Sequence, residues 1–286
     1  MLIVSTCRKP PESVVARAKA VAARCGCPLI ERRSTSVSKL MKLHGATLIY
    51  MVGRQSEEIR AAGLDPLFVH PGRFYLKRVD GLEHPLLRAL APPQAKPVNH
   101  VIDATVGLAQ DALQIAGIMG ATVHGIEASA PVSCLLEEGL ARMAAQTHRG
   151  FAKGASQITV QHGQAAEVLA SMDTHSAPVV YLDPMFDTPL AAESRFDVFR
   201  HLAQHRPLDS ALLEQAHRVA ERRVVLKVPG ASPEPTLKAP GPGWNRRVRG
   251  RAVDYLVIEK ELALPTYECP DLGQKSRRRQ RSDVSS

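Results

Sequence analysis

The stretch Val101-Ile-Asp-Ala-Thr-Val-Gly-Leu-Ala-Gln-Asp-Ala-Leu113 decides the fold class of this 286-residue chain. Its apolar start predicts a buried strand that ends at Asp103, and Gly107 predicts a tight turn. A helix is expected to begin at Gln110 or Asp111. A strand, a glycine turn and a helix in this order are typical of doubly wound α/β sheets, in which ligands lie beyond the carboxyl ends of the strands.

The alternation of strands and helices continues after this stretch. Further strands are predicted at residues 122–127, 157–160, 179–183 and 223–228, and helices at residues 111–119, 131–143, 165–172 and 208–221. The strands are almost continuously apolar, which predicts a parallel sheet covered on both faces. A last strand, residues 251–259, is expected at the sheet edge, where it can run antiparallel to its neighbour.

The residues before this region predict a smaller α/β unit. Its expected elements are strands at 2–5, 28–33 and 46–53, helices at 11–24 and 36–44, and a hairpin at 67–79. Three prolines in residues 91–97 disfavour both helix and strand pairing, so we place a domain boundary there. The interpretation is a small basic α/β domain at 1–95 that could recognise substrate, a Rossmann-like doubly wound domain at 96–268, and a basic disordered tail at 269–286.

Charge is divided unevenly along the chain. The net charge is +9 for residues 1–99, −4 for residues 100–274 and +4 for residues 275–286. This division predicts an acidic body flanked by segments attracted to polyanions such as RNA, with solubility alone as the alternative. The front domain's positive surface is assigned to Arg32, Arg33, Arg73, Lys77 and Arg78. Trp244 stands beside a second basic stretch, residues 246–251.

Cysteine usage and hydropathy indicate the compartment. The five cysteines form no Cys-x-x-Cys pair, no apolar run reaches the length of a membrane span, and the first residues do not read as a secretory signal. We therefore expect a reduced, cytoplasmic protein that does not bind a membrane.

Two carboxylates indicate the class of ligand. Glu127 ends the next predicted strand, twenty residues after Gly107, where it can accept hydrogen bonds from both hydroxyls of a ribose. Asp103 would repel a phosphate and attract a cationic or amino-bearing group. Together they predict S-adenosylmethionine rather than a dinucleotide. The alternative is an ordinary strand–turn–helix without a ligand.

The stretch Val179-Val-Tyr-Leu-Asp-Pro-Met-Phe186 indicates the chemistry. The carboxylate of Asp183 and the carbonyl of Pro184 can both accept hydrogen bonds from an exocyclic amine, and Phe186 can stack on the base. These three residues are the expected catalytic residues for methylation of a nucleobase amine. An acidic turn beside a core aromatic residue is the alternative.

Five blocks of sequence resemble the RsmJ-type family of methyltransferases in order and spacing. They are Asp103-Ala-Thr-Val-Gly-Leu-Ala-Gln-Asp-Ala112, Gly125-Ile-Glu127, Gln161-His-Gly-Gln164, Tyr181-Leu-Asp-Pro-Met-Phe186 and Arg223-Val-Val-Leu-Lys-Val-Pro229. The resemblance covers about residues 99–260. It implies a class I methyltransferase fold and transfer from S-adenosylmethionine to the guanine N2 amine of small-subunit ribosomal RNA. Residues 1–95 are more similar to the front of related bacterial methyltransferase-like proteins.

The resemblance also implies a set of cofactor contacts. By position these are Gln110, Asp111, Glu127, Ala128, Gln164, Ala165 and, near the methyl donor, Asp183. The chain departs from the family at three places. Ala109 stands for a second glycine, Gln110 for an arginine, and Gln164-Ala165 for a pair of serines.

The expected function is therefore methylation of a nucleobase amine. The expected partner is RNA, in the form of small-subunit rRNA or the ribosomal subunit. No metal is required, because the sulfonium already carries a good leaving group. The alternatives are a methyltransferase for DNA, protein or a small molecule, and a non-catalytic RNA-binding factor. Lys227 is interpreted as a lysine that extends its ammonium to solvent, with a substrate phosphate as the other option. The target nucleotide, the oligomeric state and the role of the front domain and tail stay open.

Overall fold

A computed structural model describes residues 1–72, 78–147, 149–184, 195–202, 208–230 and 243–260. The front of the chain forms a three-stranded sheet of β1 (Leu2–Thr6), β2 (Leu48–Val52) and β3 (Glu57–Ala61). β1 and β2 are parallel, and β3 is antiparallel to β2. Helices α1 (Glu12–Cys25) and α2 (Val37–Leu43) pack on opposite faces of this sheet. The front of the chain is α/β, as predicted.

Two predicted front elements differ from the structure. The strand expected at 28–33 is reduced to a single parallel bridge between Leu29 and Val4, and Arg33 further along has a left-handed φ of 48°. In the expected hairpin at 67–79, Leu67 makes an isolated bridge to Ile59, and residues 73–77 lie outside the described residues. β3 was not predicted, because three of its five residues are charged and one of these, Glu57, lies on its buried side.

The second sheet has seven strands: β4 (His100–Asp103), β5 (Thr122–Glu127), β6 (Ile158–His162), β7 (Ala177–Leu182), β8 (Ala220–Pro229), β9 (Arg246–Val248) and β10 (Val253–Glu259). Their order is β6-β5-β4-β7-β8-β10-β9. The first five are parallel, and β10 is antiparallel to both of its neighbours. The strand at this edge of the sheet is therefore β9 and not the predicted β10. β9 was not predicted because its three residues are too few to show the alternation of a strand.

Helices cover both faces of the large sheet. They are α3 (Pro85–Leu90), α4 (Gln110–Gln114), α5 (Ala130–Ala144), α6 (Ala152–Ser156), α7 (Ala165–Ala170), α8 (Arg195–Leu202) and α9 (Ser210–Val219). α4 continues into a π-helical turn at Ile115–Met119. Apolar residues of α5 pack on one face, and those of α7 and α9 pack on the other. This arrangement confirms the doubly wound class. No helix among the described residues has the length and apolar character needed to cross a bilayer.

The front sheet packs directly on α5. Arg17 of α1 donates to Glu57 at 3.0 Å and to the carbonyl of Cys134 in α5 at 2.9 Å. Arg24 forms a 2.7 Å ion pair with Glu137. One apolar cluster contains residues of α1, β2 and α5 together. The domain boundary at 91–97 stays a prediction, and the tail lies outside the described residues.

Candidate active site

The topology creates a crevice at the carboxyl end of β4. Strands β5 and β7 lie on either side of β4, so the chain winds in opposite directions from this point. Asp103 pairs in register with Gly125 of β5 and with Tyr181 of β7. Glu127 lies two residues after Gly125, and Asp183 lies two residues after Tyr181. Both residues therefore lie the same distance beyond the end of β4. The two carboxylates therefore flank one crevice, as the sequence predicted.

A tight turn passes over this crevice between β4 and α4. Gly107 has a φ of 52°, and Ala109 has a φ of 56° at the N-cap of α4. A Cβ on Gly107 would lie 3.3 Å from Cζ of Phe199 in α8, and a Cβ on Gly125 would lie 2.8 Å from Val106. Gly125 thus lets the turn lie close to β5, and Gly107 lets it lie close to Phe199. Ala109 is buried in the strained left-handed conformation, where the resembled family has glycine.

Glu127 is 8% exposed at the end of β5. Its Oε1 accepts a 2.8 Å hydrogen bond from the backbone N–H of Ser129. The backbone N–H groups of Gly107 and Ala128 also donate to the carboxylate. Burial outweighs these donors and raises the pKa of Glu127 to about 7. The carboxylate is therefore placed at the turn, where added donors would favour its ionised form.

The end of β6 forms the adjoining side of the crevice. The backbone N–H of Gly163 donates to the carbonyl of Glu127 at 3.0 Å. Gln164 is the N-cap of α7 and Ala165 its first residue, and both are partly exposed. His162 lies 3.2 Å from the carbonyl of Ala128 through Nε2. These residues place an open surface beside Glu127.

An ion-paired cluster occupies the other side of the crevice. Lys227 Nζ lies 2.7 Å from Oδ2 of Asp183 and 2.9 Å from Oδ2 of Asp111. The hydroxyl of Tyr181 donates to the same oxygen of Asp111 at 2.7 Å. Thr105 Oγ1 accepts the backbone N–H of Asp183 at 2.6 Å. Asp183 is thus held through both its backbone and its side chain.

Electrostatics make this cluster suitable for a cation. Burial, reinforced by the charges of Asp111 and Asp183, raises the pKa of Asp103 well above its ordinary value. Burial opposes the charged form of Lys227, but Asp111 and Asp183 outweigh it and raise the pKa of its ammonium. Burial also raises the pKa of Tyr181 well above its ordinary value. The partly buried ammonium of Lys227 is therefore paired with two carboxylates, and the carboxyl group of Asp103 lies nearby.

A family model described as "Putative SAM-dependent methyltransferase" matches residues 73–247. The chain belongs to this methyltransferase family. The ribosomal RNA small subunit methyltransferase J of Halorhodospira halophila is 32% identical over 254 residues, which cover 85% of this chain and 90% of the relative. The protein of the same name from Alteromonas mediterranea is 33% identical over 169 residues, or 58% of this chain and only 63% of the relative. These relatives confirm the resemblance to the RsmJ-type family.

The fold of this methyltransferase is shared with a solved structure. A SAM-dependent methyltransferase from Neisseria gonorrhoeae superposes with a TM-score of 0.64 at 21% identity, covering 90% of this chain and 95% of that one. The match supports the Rossmann-like class I fold that was expected. The two parts of the chain, front and body, are both included in it.

S-adenosylmethionine is the cofactor of this methyltransferase family, and the residues of the crevice fit it. Glu127 offers a carboxylate to a ribose, and the Gly107 turn brings backbone close to the same place. The cluster of Asp103, Asp111 and Asp183 suits a ligand that carries a sulfonium and an ammonium. Which of these residues contact the cofactor stays a prediction.

Other predicted site residues have different surroundings. Gln110 donates to the carbonyl of His70 at 3.0 Å, which ties α4 of the methyltransferase to the front of the chain. Pro184 is described and partly buried, whereas Phe186 lies outside the described residues. The interpretation of Lys227 as a solvent-reaching lysine is wrong, because its ammonium is paired with two carboxylates and its side chain is only 19% exposed.

Sequence reasoning missed three groups of this site: the ion pairs of Lys227, the hydroxyl of Thr105 and the ring of Phe199. One signal could have revealed the first. Leu182 and Leu226 are register partners in β7 and β8, so the next residues, Asp183 and Lys227, end neighbouring strands. Phe199 lies in a helix that the sequence analysis did not predict.

Proposed function

We propose that this chain transfers the methyl group of S-adenosylmethionine to the exocyclic N2 amine of a guanine in small-subunit rRNA. The observation that carries the proposal is the position of Asp183. Its carboxylate follows β7 at the crevice and is held 2.7 Å from Lys227. The names of the relatives as ribosomal RNA small subunit methyltransferases support the substrate.

Asp183 and Pro184 would bind and orient the amine. An exocyclic amine has two hydrogens, and the carboxylate of Asp183 and the carbonyl of Pro184 supply two acceptors. A carbonyl or ether oxygen on a substrate would leave these acceptors unsatisfied, which disfavours it. The acceptors select an amine; guanine as the base follows from the resemblance to RsmJ-type enzymes.

Catalysis then depends on position. The bound cofactor supplies a methyl group on a sulfonium, which is a good leaving group. Asp183, fixed by Lys227 and Thr105, holds the amine so that its lone pair points at the methyl group. The nitrogen loses a proton once it carries positive charge, so no strong base is required. The acidic surroundings favour binding of the positively charged donor.

The test is transfer of labelled methyl groups to small-subunit rRNA from the host strain with this gene deleted. We expect N2-methylguanine in the digested rRNA by mass spectrometry. Asp183→Asn presents an amide in place of a carboxylate and should lower kcat at least ~100-fold. Its affinity for S-adenosylmethionine should stay within a few-fold of wild type. Asp173→Asn, at an exposed aspartate, is the matched control and should be fully active.

Each alternative gives a different outcome. Label only in DNA, protein or small molecules would replace the rRNA substrate by that class. Cofactor binding without any transfer would indicate a non-catalytic RNA-binding factor. Full activity of Asp183→Asn would remove Asp183 from the mechanism.

A further inference from the structure

The front sheet concentrates cations at one edge. The strands β1 and β2 and the bridge residue Leu29 run parallel, so the three loops that follow them emerge at the same edge. Each loop carries positive charge. We define the basic edge as the cations of these loops, which are Arg8, Lys9, Arg32, Arg33 and Arg54.

Hydrogen bonds join these loops to one another. Arg54 donates to the carbonyl of Lys9, and Arg8 donates to the carbonyl of Ser34 at 3.4 Å. Both arginines thus contact backbone carbonyls of neighbouring loops, which fixes their positions without neutralising their charge. Four of the five cations of the basic edge are exposed, and the fifth is partly exposed.

Acidic residues near the basic edge offset little of its charge. Glu31 lies 3.3 Å from Arg33, but both side chains are at least 75% exposed, so the pair is weak. Glu12 is exposed at the start of α1. Glu57, which follows the third loop, is buried and paired with Arg17. The edge keeps a net positive charge.

The backbone of two loops is strained at a cation. Lys9 has a φ of 49° and Arg33 a φ of 48°. Side chains other than glycine rarely adopt this left-handed conformation, which costs about 1–2 kcal/mol. Strained backbone of this kind clusters at active sites and ligand-binding sites. Here it occurs at residues that present charge to solvent.

We propose that the basic edge binds the phosphate backbone of the substrate RNA. This inference rests on the proposed function and adds a surface at which the substrate docks. Neighbouring strands are about 4.8 Å apart, so the three loops extend over roughly 10 Å. That width and the spread of charge match successive phosphates of a polyanion. Contacts of this kind supply affinity and register and do not read sequence.

The test compares two variants that each lose three positive charges. The edge variant carries Arg8→Gln, Lys9→Asn and Arg54→Gln; asparagine tolerates the left-handed backbone at position 9. The control variant carries Lys96→Gln, Arg149→Gln and Lys153→Gln, at exposed cations that precede β4 and β6. Binding of small-subunit rRNA is measured from low to high KCl, and methyl transfer is measured in parallel.

We expect the slope of log affinity against log salt to fall by about 2–3 in the edge variant, because each lost phosphate contact removes about 0.7–0.9. KM for RNA should rise while kcat and cofactor affinity hold. The single variant Lys9→Asn should show about one third of the slope change of the edge variant. The control variant should keep the wild-type slope.

Two results would overturn the inference in distinguishable ways. Equal slopes for the edge and control variants, with wild-type methylation intact, would reject the basic edge and leave the proposed function standing. Wild-type protein that neither binds nor methylates rRNA would reject the proposed function and this inference with it.

Discussion

Glu127, the predicted ribose-binding residue, would couple cofactor binding to pH. Its carboxylate is 8% exposed, and burial raises its pKa to about 7, even though three backbone N–H groups donate to it. The hydroxyls of a ribose would add donors that favour the ionised form. Below pH 7 the carboxyl group is protonated, so binding must release a proton and affinity falls. Above that pH the affinity is constant.

The first prediction concerns this residue. Wild-type affinity for S-adenosylmethionine should weaken by up to about tenfold per pH unit below pH 7. Glu127→Gln should bind at least roughly tenfold more weakly at pH 8, because a hydrogen bond to a charged acceptor is lost, and its affinity should be independent of pH. Calorimetry from pH 5.5 to 8 measures both. Asp103 also has a raised pKa and is present in both proteins. If Glu127→Gln keeps the pH dependence of the wild type, the dependence comes from Asp103 or another group, and its assignment to Glu127 is wrong.

At the scale of elements, Lys227 joins three parts of the fold. It lies on β8 and pairs with Asp111 of α4 and with Asp183 after β7. Tyr181 of β7 and Tyr255 of β10 are buried beside the same cluster. Removing the ammonium leaves the carboxylate of buried Asp111 facing that of partly exposed Asp183, with Asp103 nearby. The native protein would then take up protons that the unfolded chain does not.

We therefore expect Lys227→Met to destabilise the protein by about 3–5 kcal/mol near pH 8. The loss should be smaller at pH 5.5, because protonation of the crowded carboxylates relieves their repulsion. Chemical denaturation at both pH values measures the difference. Lys227→Arg keeps the charge and should show a smaller, pH-independent loss. An equal loss at both pH values for Lys227→Met would show that only packing was removed.

At the scale of the whole molecule, one of the apolar clusters among the described residues spans both sheets. Residues of α1 and β2 belong to the same buried cluster as residues of α5 and the large sheet. Arg17 reinforces the junction by pairing with buried Glu57 and donating to the carbonyl of Cys134. Because burial of this surface requires both parts, their unfolding should be coupled.

We expect a single unfolding transition. Hydrogen exchange of β2 and β7 amides should give coincident denaturant midpoints. Arg17→Met should lower both midpoints together and lower the free energy of unfolding by roughly 2–3 kcal/mol, since it leaves Glu57 buried without its cationic partner. Arg60→Met removes a partly exposed pair with Glu58 on the same sheet and should change stability by under about 1 kcal/mol. Earlier melting of β2 alone would show that the front is an independent unit.

The sequence by itself determined the elements that carry their own local pattern. The apolar run ending at Asp103, the turn at Gly107 and the strand ending at Glu127 were readable because strand periodicity and glycine act over a few residues. The position of Asp183 beside them followed from the same rule of parallel sheets. β9 has only three residues, and the charged residues of β3 hid its buried side, so neither strand could be predicted.

Only the tertiary structure decided which distant side chains meet. Asp111, Asp183 and Lys227 lie on three elements, and their ion pairs form because strand order and register bring those elements together. The basic edge likewise depends on three loops that are adjacent only in the folded sheet. Such contacts are fixed by burial of the shared core, a long-range free energy that no local stretch of sequence contains.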